Sequence, residues 1–183
     1  VSSLTTGSGS IVLDQTGGGD VTVALSTTVD GDISLSSTGS DLHAGVVTAG
    51  GTGRHVSLLT QTSGSIRVDS VTASDDTVSI VAADSINESL TADAAVDVFG
   101  GVVSLVAGSG IGDVSAFELT SASLVATSTS GPVVLHHASS TAVTVSSLTT
   151  GSGSIVLDQT GGGDVTVALS TTVDGDISLS STG

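Results

Sequence analysis

A five-residue phrase with alternating apolar positions, x-x-[Ile/Val]-x-[Ile/Leu/Val], recurs along the chain. It stands as GSIVL at 9–13, GDVTV at 19–23, GDISL at 31–35, RHVSL at 54–58, GSIRV at 64–68 and DTVSI at 76–80. It continues as GVVSL at 101–105, GPVVL at 131–135, TAVTV at 141–145 and GSIVL again at 153–157. Side chains two apart share a face only in a strand, so Ile11 pairs with Leu13, Val21 with Val23 and Ile33 with Leu35. Each phrase predicts a short β-strand.

Spacing carries the architecture. From Gly9 to Gly19 to Gly31 the phrase starts step by 10 and then 12, and the same pair of steps returns from Arg54 and from Gly131. Together they make a unit of about 22 residues, the size of one coil of a parallel β-solenoid. The longer steps from Gly31 to Arg54 and from Asp76 to Gly101 are the same unit with one phrase blurred, around Leu42–Val47 and Ile86–Leu90. Coils then begin at Gly9, Gly31, Arg54, Asp76, Gly101 and Gly131, and a seventh at Gly153, so that six coils separate Gly9 from Gly153. The ruler predicts one interior row of Ile11, Ile33, Val56, Val78, Val103, Val133 and Ile155. A second row holds Val21, Ile66, Val143 and Val165. Gly-rich stretches such as TGGG at 16–19 and TAGGTG at 48–53 make the corners, and Pro132 sits near one, where its missing amide costs least. The coil from Gly101 to Gly131 is the long, irregular one, holding either a loop within 106–122 or a short extra coil.

Residues 145–183 repeat residues 1–39 letter for letter. Residues 1–144 therefore read as one full solenoid repeat of six coils and 145–183 as the start of the next, continuous with the first. An antiparallel β-sandwich is the alternative fold, since it also shows short strands at regular, similar intervals. Against it stand the fixed register and the absence of a Trp or Tyr core anchor.

Composition supports strands. Apolar residues make up 38% of the chain, with Phe99 and Phe117 the only aromatics, and Ser, Thr, Gly and Asp fill most of the rest. That mixture disfavours helices. A mean hydropathy of +0.49 is too high for a disordered segment. Eighteen carboxylates face only Arg54 and Arg67, a net charge of −16 that repels nucleic acid and anionic membranes. No apolar run reaches the ~20 residues of a membrane helix. There is no cysteine, hence no disulfide framework and no thiolate metal site. The chain begins with Val and shows no signal peptide, which fits an excerpt from a longer protein.

Candidate chemistry is sparse. The glycine runs lack the Gly-Lys-[Ser/Thr] of a phosphate loop, and TGGGD lacks the short tandem period of calcium-binding β-rolls. Asp30 and Asp32 in VDGDIS, with their copies Asp174 and Asp176, are the candidate calcium ligands, because tight turns offer carboxylate and carbonyl oxygens to hard cations. Asp75–Asp76 is a lesser candidate. His136 and His137 point to opposite strand faces and do not share an ion, and all four histidines (with His43 and His55) read as surface or corner residues. Thr5–Thr6 and Thr27–Thr28, one coil apart, predict a threonine ladder between coils, a better account than an ice-binding array. No residue is marked as catalytic. A carbohydrate-cleaving solenoid needs paired carboxylates in a cleft, usually with aromatic and cationic groups.

The phrase G-[SD]-I-x-[LV] and the passage VSLVAGSGIGDVSAFELTSASLVATSTSGPVVLHH at 103–137 resemble repeats of filamentous-haemagglutinin-like adhesins and giant bacterial surface proteins. The resemblance rests on Leu105 through Gly112 and Leu124 through Leu135. It implies a right-handed parallel β-helix, export to the cell surface and an adhesive or spacer role, and it brings no catalytic residues. The expected function is accordingly a stiff stalk or spacer in a very large secreted or cell-surface fibre, neither an enzyme nor a cofactor protein. A glycan-, calcium- or cell-binding adhesin module is the alternative, and a solenoid carbohydrate enzyme ranks below it. The expected partners are adjacent repeats of the chain, with neighbouring rods or surface ligands beyond them.

Overall fold

The protein, seen in a computed structural model that describes residues 1–89 and 95–182, is a parallel β-solenoid. Seventeen strands join in one continuous sheet wound into stacked coils, and every pairing among them is parallel. A sandwich is therefore excluded. Inward positions carry the Val, Ile and Leu of the recurring phrase. Strand Ile33–Ser37 buries Ile33, Leu35 and Ser37 and turns Ser34 and Ser36 outward. β-Branched residues suit this half-buried pleat, and no other element type competes.

Three interior rows run up the solenoid. The first is Ile11, Ile33, Val56, Val78, Val103, Leu124, Val145 and Val167. The second is Val21, Leu42, Ile66, Ile86, Ile111, Val133, Ile155 and Ile177. The third is Leu4, Ser26, Val47, Val71, Val98, Leu119, His137, Gln159 and Ser181. The blurred phrases are strands Leu42–Ala49 and Ser85–Glu88, in the rungs where the ruler needed them. Leu90 lies outside the described residues.

The rows correct the ruler in its upper half. Val103 stacks on Leu124 rather than on Val133, and Val133 and Ile155 belong to the row of Val21. Val143 and Val165 pair with each other, on the strand that carries Leu124's neighbour Val145. The long step from Gly101 to Gly131 is thus one coil, Val103 to Leu124, followed by one further side. Strand Phe117–Ser128 was the unread piece, with Leu124, Ala126 and Ser128 buried. Six coils above Gly9 the chain has not yet reached Gly153, so the two copies of the repeated stretch lie on different flanks.

Residue parity explains the change. Between the second and third rows the lower coils take five steps along the chain, as from Val21 to Ser26, Leu42 to Val47 and Ile66 to Val71. An odd interval puts two inward side chains on opposite faces of a straight strand, so the chain must bend between them. The upper coils take four, as from Val133 to His137 and Ile155 to Gln159, and run straight. The first row does the reverse. Its strands are straight from Ile11 to Leu124, and a register shift at Leu124/Val125 marks the bend of Val143–Thr150 above them.

Aspartates at the corners fasten coil to coil. Asp41 Oδ1 accepts the Ser65 amide at 2.8 Å, Asp32 Oδ1 the His55 amide at 2.9 Å and Asp84 Oδ2 the Gly64 amide at 2.8 Å. Asp76 takes both the Gly53 and Arg54 amides at 3.0 Å. Each satisfies a corner N–H that the strand ladder leaves unpaired. The predicted threonine ladder is present, with Thr5 on Thr27 and Thr6 on Thr28.

Candidate functional site

Where bent strands give way to straight ones, residues 112–116 leave the rows as an excursion between Ile111 and Phe117. Of residues 106–122, read from the sequence as a loop or a short extra coil, 108–109 and 112–116 lie outside the strands, and Val114 is 83% exposed. Asn87 Oδ1 accepts the Asp113 amide at 3.2 Å and so ties this excursion to the coil below.

Beside this excursion lies a cluster of three carboxylates, Glu88, Asp97 and Glu118. An oxygen from each lies within 4.8 Å of the others, and the residues are only 9%, 4% and 6% exposed. Glu88 stands beside Val68, in an inward row that also holds Val23 and Ala44. A charged group has replaced an aliphatic one there. Asp97 and Glu118 are locked together through the backbone. The Asp97 amide donates to the Glu118 carbonyl at 3.0 Å, and the Glu118 amide donates to Asp97 Oδ2 at 3.2 Å. Ser115 donates its hydroxyl to Glu88 Oε1. Glu118 Oε2 is fully buried and has no hydrogen-bond partner among the described residues.

Burial raises the Asp97 carboxyl to about 8, and the neighbouring Glu118 and Glu88 charges push in the same sense. Glu118 is raised for the same reasons, burial first and then the Glu88 charge. Both arginines are engaged elsewhere, Arg54 with Asp30 at 2.7 Å and Arg67 with Asp41 at 3.8 Å. Three acidic groups thus share a dry space without a Lys or Arg. Such a cluster holds either protons or a cation.

The carboxylates singled out from the sequence do other work. Asp30 is spent on Arg54 and Asp32 on the His55 amide. Asp174 and Asp176 are exposed, and their backbone carbonyls accept the Gly153 and Ile155 amides. None of the four joins a group of three metal-ligating side chains among the described residues. Asp76 is a corner fastener. Asp75 adopts a φ of +61° and lines a shallow surface hollow of about 110 Å³ with Phe99, Thr120 and Thr141.

Three histidines are partly exposed as expected. His43 meets Asp69 at 3.1 Å, His55 accepts the Thr77 amide at 3.3 Å and His136 meets Thr160 at 2.9 Å. His137 is the exception, 1% exposed in the third row between Leu119 and Gln159. Burial lowers its pKa, and Nδ1 has no partner. The even interval from Val133 turns it inward.

The acidic cluster had one signal in the sequence that the ruler passed over. Glu88 and Glu118 are the only two glutamates in the chain; the other sixteen acidic residues are aspartates. Both come to one place. No family model, curated protein or solved structure matches the chain.

Proposed function

We propose that the protein is a stiff stalk or spacer segment of a large, tandemly repeated fibre, secreted or held at a cell surface. One observation carries this reading. The boundary between the first repeat and its second copy falls inside strand Val143–Thr150, which pairs with Phe117–Ser128 on one side and with Val165–Val167 and Ser170–Thr172 on the other. A module meant to act alone has its boundary in a linker; here the seam is sheet. Stacked coils gain stability with repeat number, and a net charge of −16 keeps neighbouring rods apart. We assign no catalytic role, since the clustered carboxylates are buried away from any substrate. No helix among the described residues is long and apolar enough to cross a membrane.

The test is a series of one, two and three full repeats (1–144 and its tandem copies) measured by small-angle scattering. Length should grow by roughly 30 Å per repeat, at ~4.8 Å per coil, with a constant cross-section. Growth in all dimensions would refute the rod.

A second reading, a glycan-binding adhesin module, draws on the hollow beside Phe99, which is 40% exposed and flanked by Asp75, Thr120 and Thr141. A half-exposed ring beside carboxylate and hydroxyl groups suits a sugar face. Glycan binding lost in Phe99→Ala supports this reading, and the absence of glycan binding removes it.

A further inference from the structure

We propose that Glu88, Asp97 and Glu118 form a structural site for a hard divalent cation, calcium in preference to magnesium, which joins two successive coils beside the excursion at 112–116. The inference is independent of the stalk reading.

The first ground is charge. Three carboxylates converge within 4.8 Å with less than a tenth of each residue exposed, and both arginines pair with other carboxylates. Burying like charges together without a counter-ion is among the most costly arrangements in a protein. The second ground is the Glu118 side chain. The residue is only 6% exposed, its carboxylate belongs to the cluster, and its Oε2 has no hydrogen-bond donor among the described residues. Buried acceptors in folded proteins have partners, and an orphan among carboxylates marks the place of a cation. Third, the chain reserves its only two glutamates for this site.

Ligand chemistry narrows the ion. All donors are oxygens: three carboxylates, with the Ser115 hydroxyl bonded to Glu88. Oxygen sets select hard cations over zinc or copper. Magnesium dehydrates reluctantly and keeps several waters, while calcium accepts an irregular shell of carboxylates. Bound there, calcium joins the coil of Glu88 and Asp97 to the coil of Glu118, and through Glu88 it fixes Ser115.

The experiment uses the whole chain, stripped with EDTA and desalted, with CaCl₂ or MgCl₂ added at neutral pH. Thermal melts and calorimetric titration are the readouts. Calcium at a hundredfold excess over its Kd should raise Tm by about 5–10 °C, and magnesium at the same concentration by much less. Glu118→Gln, which keeps shape and removes a charge, should melt higher than the parent without metal and lose the calcium shift. Asp164→Asn, the same charge change outside the cluster, should keep it. Equal melting in EDTA and calcium with no heat of binding would overturn the site, leaving the cluster to protons alone. A full calcium shift in Glu118→Gln would place the ion elsewhere and overturn it too. A magnesium shift equal to calcium's would overturn the choice of ion.

Discussion

Ile155 stands six coils above Val21 and shares its row, although in sequence it is the copy of Ile11. Six coils above Ile11 the row holds Val145 instead. Identical stretches of chain therefore occupy different flanks of one rod. Some local contacts recur in both copies. Ser36 donates to Asp14 at 2.6 Å as Ser180 does to Asp158, and Ser10 accepts the Asp32 amide at 3.3 Å as Ser154 accepts that of Asp176. In an array of such repeats, like surfaces would wind around the axis rather than line up along one side.

Cysteine pairs test this register directly, because the chain has no cysteine of its own. Ser104 and Val125 are register partners on adjacent coils, so the pair Ser104→Cys/Val125→Cys should oxidise readily, at a strand spacing within disulfide reach. Ser104→Cys/Val134→Cys should stay reduced, although the sequence ruler makes those two neighbours. The reverse pattern on a non-reducing gel would restore the ruler and remove the change of flank.

Glycines at close-packed corners should not tolerate a methyl group. Gly64 has a φ of +107°, and a Cβ there would lie 2.2 Å from the Ser40 carbonyl oxygen of the coil below. Gly18 has nothing within 4 Å. Gly64→Ala should cost at least about 1–3 kcal/mol through strain and clash, against less than about 0.5 kcal/mol for Gly18→Ala. Urea unfolding compares them. Equal midpoints would mean that the coils do not approach as closely as Gly64 and Ser40 do.

Two buried groups give metal-free protein opposite pH dependences. Asp97 is raised from 3.8 to about 8 by burial and by its acidic neighbours, so the folded state prefers its protonated form. Its cost is absent below about pH 4 and grows as pH rises toward 8. His137 is lowered from 6.5 by burial, so the folded state prefers it neutral. Its contribution is full above pH 6.5 and is lost as pH falls below that value. In EDTA, stability should fall toward both ends of the range from about pH 4 to 8. Asp97→Asn should flatten the alkaline decline and leave the acid decline in place. An unchanged alkaline decline in Asp97→Asn would assign it to another group.

Much of the fold was legible because solenoid coils are local objects. Period-two alternation in Ile33–Leu35 fixes a strand, Gly and Asp fix a corner, and the recurrence of the phrase fixes the rung. The carboxylate cluster was hidden for a related reason. Glu88 sits two positions after Ile86, at the inward place of its phrase, where a reader of polarity sees only a broken strand. Nothing along the chain announces that Glu118 arrives one coil above Asp97. His137 was misplaced because a surface reading of histidine ignored the even interval from Val133.

The sequence by itself determined the secondary structure, the coil length and the parallel stacking, since each depends on side-chain alternation and turn chemistry within a single coil. Tertiary structure alone decided which flank each strand joins. Odd intervals between inward positions bend the chain and even intervals keep it straight, and one replaces the other at the excursion after Ile111. Because every later strand inherits its position from the coil beneath, that switch moved the second copy to a new flank and brought three distant acids together.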